Sequence, residues 1–236
     1  MTAERDIADT GSHHLTWSVR RARSGTCGQI GTIVLKLELE KLSVPIEKQY
    51  DRTEVLEKAT LAFWTHGYEA TSINDLVEQT GLNRGSLYTA FDGKRGLFVA
   101  CLTHYDRRHR FEFLTEVSRG LEPRDAILAV FKAAARSGCE TGQPPGCLLV
   151  NSALEVSPHD MEVREIVNQS LAQVEAFFRE KIEAAQANGS ILQVVDARST
   201  AKVILGLFLG LRVLVRSELD DTAVSAVINH ARELLT

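Results

Sequence analysis

From Arg52 onward, apolar residues return at the interval of a helix: Val55, Leu56, Ala59, Ala62 and Phe63 form one stripe, and Gly67 stops the run. A shorter period follows over residues 72–80, with Ile73, Leu76 and Val77 inward, Thr71 standing where an N-cap is needed and Gly81 where a helix ends. After Leu82, Asn83 is placed to cap a third short helix that reaches Phe91 and breaks at Asp92-Gly93. The pattern therefore predicts three short helices within about 40 residues.

Downstream the helices lengthen. Leu97, Phe98, Cys101, Leu102 and Tyr105 mark one face of a helix expected over residues 94–118, with a polar run at residues 106–110. Pro123 opens another to about residue 137, and residues 138–146, with Pro144-Pro145, read as a loop. Residues 147–156 read as a buried helix, 158–188 as a long amphipathic one stopped by Gly189, and 196–218 and 220–235 as the last two. The expected fold is all-α: a three-helix helix-turn-helix domain over residues 46–93, then a helical domain over 94–236. Residues 1–45 have no helical period and read as a disordered extension, apart from a short strand or helix at 32–42. Two alternatives stand beside that: a true start near Val34 or Val44, and a basic arm (Arg20, Arg21, Arg23) that touches phosphate or a minor groove.

Composition agrees with a helical, water-soluble chain, because only 6% of the 236 residues are aromatic and Pro is held to 5. The formal charge of −4 carries no whole-chain signal for nucleic acid, so a basic patch has to be sought locally. The apolar stretch at residues 203–215 is interrupted by Arg212 and too short to cross a bilayer, and Glu4, Arg5, Asp6 and Asp9 stand where a secretion signal needs a basic, then apolar, start. A cytoplasmic location without membrane contact is expected, where Cys27, Cys101, Cys139 and Cys147 stay reduced. The seven His residues are scattered, with no phosphate loop, nucleophile elbow or paired-His metal motif, so no catalytic residue, cofactor or metal is assigned. Cys139, Cys147 and His159 fit no recognised metal-ligand spacing.

The third short helix carries the candidate chemistry. A helix that enters a major groove must present small or polar residues in its first turn, and Asn83, Arg84, Gly85 and Ser86 do so. Leu87 and Phe91, four apart, turn inward, which leaves Arg84, Tyr88 and Thr89 outward. Acidic residues (Glu47, Asp51, Glu54, Glu57, Glu69, Asp75, Glu78) fall mostly on the first two helices, while Arg84, Lys94 and Arg95 gather at the opposite edge. A bare three-helix docking module, or a module with a decayed DNA surface, is the competing reading.

Residues 68–98, YEATSINDLVEQTGLNRGSLYTAFDGKRGLF, resemble the DNA-binding half of TetR-type repressors. The likeness covers residues 52–105 in motif detail, with Asp92-Gly93-Lys94-Arg95 where Pro-Ser-Lys-Glu or Gly-Ser-Lys-Glu is commoner. It implies a homodimer on a palindromic double-stranded operator. Thr71 and Lys94 would meet phosphates, Arg84 a guanine edge, Ser86 and Tyr88 phosphate and Thr89 a thymine methyl, while Gly85 lets the backbones approach. It also implies a pocket for a small-molecule effector in the larger domain, whose filling pivots the helix after the recognition helix and spoils the half-site spacing of about 34 to 36 Å.

In the larger domain, Gly146-Cys147, Asn151 and Glu155 resemble a Gly-Cys-x-x-x-Asn-x-x-x-Glu segment of one subgroup of these repressors. Asn151 and Glu155, four apart on a helix face, are candidates for hydrogen bonds to an effector; binding each other or neighbouring loops is the equal alternative. Cys147, near Cys139 across the loop, reads either as an electrophile or oxidant sensor or as a buried, inert thiol. The wide apolar stripes of the last two helices, including Ile204, Phe208, Leu211, Val215, Val227 and Ile228, are the expected dimer interface, with Gly206 and Gly210 allowing close approach.

Overall fold

The computed structural model describes residues 50–136, 144–217 and 221–236; the proposed extension at residues 1–45 and Cys139 lie outside them. Among the described residues the ordered elements are all helices: α1 (Arg52–His66), α2 (Ile73–Thr80), α3 (Arg84–Phe91), α4 (Gly93–Tyr105), a π-helical segment (Asp106–Glu112), α5 (Phe113–Ser118), α6 (Pro123–Arg136), α7 (Leu148–Glu155), α8 (Met161–Ala187), α9 (Ala197–Arg216) and α10 (Asp221–Glu233). No helix there is long and apolar enough to cross a membrane.

Local chemistry accounts for the short helices. The Asp51 carboxylate accepts from Thr53 N at 2.8 Å and opens α1, and Gly67, at φ 87°, ends it. The cap of α2 is Ser72 rather than the expected Thr71. Ser72 Oγ accepts from Asp75 N (3.2 Å) while Asp75 accepts from Ser72 N (2.7 Å), a reciprocal pair that Thr71, four positions before Asp75, cannot make. Asn83 Oδ1 accepts from Ser86 N at 2.8 Å and opens α3, as its sequence position predicts.

The single helix expected over residues 94–118 is continuous but changes register. It winds as a π-helix through Asp106–Glu112, a stretch with no buried residue to hold its period to that of an α-helix.

Two apolar clusters hold the fold. In the first, Phe63, Leu76, Leu87, Leu97 and Phe98 are 1% exposed or less and join the helix-turn-helix to α4. Leu148, Leu149, Val163 and Val167, from α7 and α8, belong to the same cluster, so the core runs through the boundary that the sequence suggests at residue 94. Each such side chain contributes about 1.5 to 3 kcal/mol when removed from water. The second cluster packs Ile127, Phe131, Phe178, Ile182, Ile204 and Leu211 from α6, α8 and α9. Residues 50–236 form one compact unit.

Candidate nucleic-acid interface and ligand cavity

The first cluster grips the rear of α3 through Leu87, fully buried, and Phe91 at 6% exposure, with the Arg52 guanidinium 4.5 Å above the Phe91 ring. The opposite face is open: Asn83, Arg84, Gly85, Tyr88 and Thr89 are exposed and Ser86 is half-buried. Arg84 Nη2 donates to Asn74 Oδ1 on α2 at 2.9 Å, so the guanidinium is held across the helix-turn-helix. Asn74 is a partner that the sequence reading did not single out. Lys94 Nζ sits 4.4 Å over the Tyr68 ring and donates to Glu69 O at 3.3 Å, in the turn before α2.

Two expectations are corrected, the phosphate contact of Thr71 and the place of Arg95 on the basic edge. Thr71 is 1% exposed and its hydroxyl donates to Gly67 O at 2.6 Å, so that group faces the interior and is spent within the turn. Arg95 does not join Arg84 and Lys94. Its guanidinium donates to Asp160 (2.7 and 3.0 Å) and Glu162 (2.8 Å) at the start of α8, and it holds the Asp160 carboxyl below the usual carboxylate range.

Behind this edge, Trp64, Tyr105, Phe113, Leu149, Val174 and Phe208 line a cavity of about 280 Å³, with Cys147, Arg108, Arg110 and Arg212 also reaching its wall. The His109 ring stacks on Tyr105 (centroids 4.8 Å apart) and meets Trp64 edge-on, and burial lowers its pKa. Tyr105 Oη lies 3.6 Å from Cys147 Sγ, and burial raises the phenol's pKa well above its ordinary value.

Of the three expected effector contacts, only Cys147 reaches the cavity. Glu155 accepts from Tyr68 N (3.0 Å) and Glu69 N (2.9 Å), so its carboxylate ties α7 to the turn between α1 and α2. Asn151, with its amide oriented to satisfy both ends, donates to Cys147 O and accepts from Arg216 Nη1, each at 3.3 Å. Arg216 in turn donates to Trp64 O (3.1 Å) and Thr65 O (3.4 Å), placing a cation at the C-terminal carbonyls of α1. Neither polar residue reaches the cavity wall: Glu155 is drawn to backbone N–H groups in the turn after α1, and Asn151 to the Arg216 guanidinium and to Cys147 O at the start of its own helix.

Two of the expected dimer residues are also corrected. Ile204 and Leu211 are fully buried in their own protomer. Phe208 is half-buried against the Phe131 and Phe178 rings, and Val215, Val227 and Ile228 are half-buried on the same core. The open apolar face of α9 is instead Val203, Gly206, Gly210 and Val213, with the two valines 48% and 42% exposed.

Cys101 is fully buried, its Sγ 3.7 Å from Leu56 O, and burial pushes the thiol up to about 12. Iodoacetamide at mildly alkaline pH is therefore expected to leave Cys101 unmodified in the folded protein and to alkylate it after denaturation, read by peptide mass spectrometry. Modification of Cys101 at the same rate in both states would contradict this burial.

The model of "Bacterial regulatory proteins, tetR family" matches residues 55–101, and that of "Tetracyclin repressor-like, C-terminal domain" matches residues 123–231. The HTH-type transcriptional repressor ComR of Escherichia coli K12 is 32% identical over 173 residues, which cover 72% of this chain and 81% of ComR. An uncharacterised HTH-type transcriptional regulator of Bacillus subtilis, YezE, is 28% identical over 144 residues, 61% of this chain and 74% of YezE. Among solved structures, a cysteine-substituted TetR family transcriptional regulator, CifR, complexed with 26-base-pair double-strand operator DNA is similar at a TM-score of 0.71 and 26% identity. That likeness covers 79% of this chain and 97% of the CifR chain.

Proposed function

This chain belongs to the TetR family of bacterial regulatory proteins, and from that premise we propose that it is a dimeric repressor released from a palindromic operator by a small molecule held in the cavity behind α1 and α4. The observation that carries the reading is α3 itself: an exposed row of Asn83, Arg84, Gly85, Tyr88 and Thr89 on a helix anchored from behind by Leu87 and Phe91. Arg84 reads a base edge, Ser86, Tyr88 and Lys94 hold phosphate, and Gly85 keeps the backbones close. Two copies meet through the open face of α9 (Val203, Gly206, Gly210, Val213) together with Val227 and Ile228 of α10. The cavity lies against Trp64 of α1 and Tyr105 of α4, so a ligand that fills it acts on the helices that carry α3. The Gly146 to Glu155 segment supports the finer subgroup through Cys147 at the cavity wall. The protein works in the cytoplasm, where its operator is, and no catalytic step is assigned.

Arg84→Ala is expected to weaken binding to DNA from upstream of the chain's own gene by about tenfold to a hundredfold, with the melting temperature nearly unchanged, since the side chain is exposed. Gel shift and thermal denaturation measure the two. Equal affinity of wild type and variant for that DNA, or a monomer by light scattering, would remove the reading.

A further inference from the structure

Asn74 is exposed, yet its backbone is fixed. It lies inside the reciprocal cap of α2, between Ser72 and Asp75, and Leu76, two positions on, is fully buried. Its side-chain oxygen is therefore carried on a rigid turn to the Arg84 guanidinium, which reaches it from the first turn of α3 at 2.9 Å. Both side chains are open to water, so the fold has little need of this bond. Recognition has more use for it. An arginine that nothing holds loses rotamer freedom when it meets a base, and that loss subtracts from affinity. Nη2 carries two hydrogens, one on the edge it shares with Nη1 and one on the edge it shares with Nε. Whichever of them Asn74 accepts, the other two-donor edge stays complete, and a complete edge is what guanine O6 and N7 require. The acceptor is also neutral. A carboxylate there would hold Arg84 as well, but it would cancel the charge and repel the DNA phosphates.

We propose that Asn74 is a positioning residue for base recognition: it pre-sets the Arg84 guanidinium for a guanine, and so strengthens the preference for that base without touching DNA itself. The inference deepens the DNA-binding reading and rests on the base contact given there to Arg84.

For the test, the full wild-type chain selects duplexes from a random pool, and each guanine of the selected sequence is replaced in turn by 7-deazaguanine, which lacks the N7 acceptor. Fluorescence anisotropy is expected to find one guanine per half-site where the replacement weakens wild-type binding about fivefold and where Arg84→Ala removes that penalty. Asn74→Ala should bind the unmodified duplex about fivefold more weakly and cut the penalty to about twofold, at that guanine alone. In the Arg84→Ala background, Asn74→Ala should change nothing further. Melting temperature and the salt dependence of affinity should match wild type, because Asn74 meets no phosphate. Asn74→Asp, which keeps an acceptor in the same place, should retain the guanine preference while weakening binding to every duplex alike. A loss of affinity that persists in the Arg84→Ala background would reveal a direct DNA contact and overturn the proposal, and tighter binding by Asn74→Ala would overturn it too. A guanine that depends on Arg84 but not on Asn74 refutes the proposal alone. If no guanine depends on Arg84, the base contact fails and the proposal falls with it.

Discussion

Gly96→Ala is expected to lower the melting temperature by roughly 6 to 12 °C and to abolish operator binding, although alanine is the better helix former by about 1 kcal/mol. A Cβ added at Gly96 would lie 1.8 Å from Phe91 O and 3.0 Å from Phe91 C, atoms of the backbone that no rotamer change can clear. The turn between α3 and α4 has little room to yield. Asp92 and Gly93 both hold left-handed conformations there, at φ 58° and 86°, and Phe91 and Leu97 are anchored in the core on either side. Overpacking costs about 1 to 3 kcal/mol when side chains can shift; a backbone collision places this variant at or above the upper end. The displaced element is the C-terminus of α3, so affinity and stability should fall together.

Gly85→Ala is the control. There an added Cβ meets only Asn83 Oδ1, at 3.3 Å, so the fold should survive while contact with DNA suffers. A Gly96→Ala protein that melts like wild type would show that the α3–α4 turn is not as tight as the geometry requires.

What could be read from the sequence was what is local. The helical periods, Asn83 as a cap, Gly81 as a stop and the inward pair Leu87 and Phe91 each depend on neighbours within a few positions, and each stands where it was expected. The choice between Thr71 and Ser72 was also within reach, because Asp75 stands three positions after Ser72 and the reciprocal cap selects that spacing. Partners far apart in the chain were not legible. Arg95 looked like part of a basic edge until α8 brought Asp160 and Glu162 to it, and the choice for Asn151 between an effector and a protein partner fell to Arg216, which reaches it from α9. The apolar stripe of α9 was plain as a pattern. Which part of it turns inward, Ile204 and Leu211, and which stays open, Val203 and Val213, is decided by how α6 and α8 pack on it.

Glu155→Ala is expected to destabilise the protein by about 2 kcal/mol, because the carboxylate accepts from two backbone N–H groups, Tyr68 N and Glu69 N, that have no other acceptor in the turn after α1. The figure is held below the roughly 3 to 6 kcal/mol that two fully buried charged hydrogen bonds would give, since Glu155 is half-buried and Glu69 exposed, so water can satisfy part of what is lost. The same turn needs Gly67, at φ 87°, where a Cβ would come within 3.1 Å of Glu155 Oε2; carboxylate and glycine fit as a pair. Because the contact joins α7 to the segment leading into α2, its loss should also loosen the orientation of α2 and α3, and operator affinity should fall more than an exposed substitution on α7 such as Leu154→Ala would cause. Glu155→Gln keeps one neutral acceptor and should lie between the two. Urea denaturation and operator titration of the three variants supply the comparison. If Glu155→Ala matches Leu154→Ala in both, the tie between α7 and the DNA-binding helices transmits nothing, and any signal from the cavity must travel through α4 and Trp64 instead.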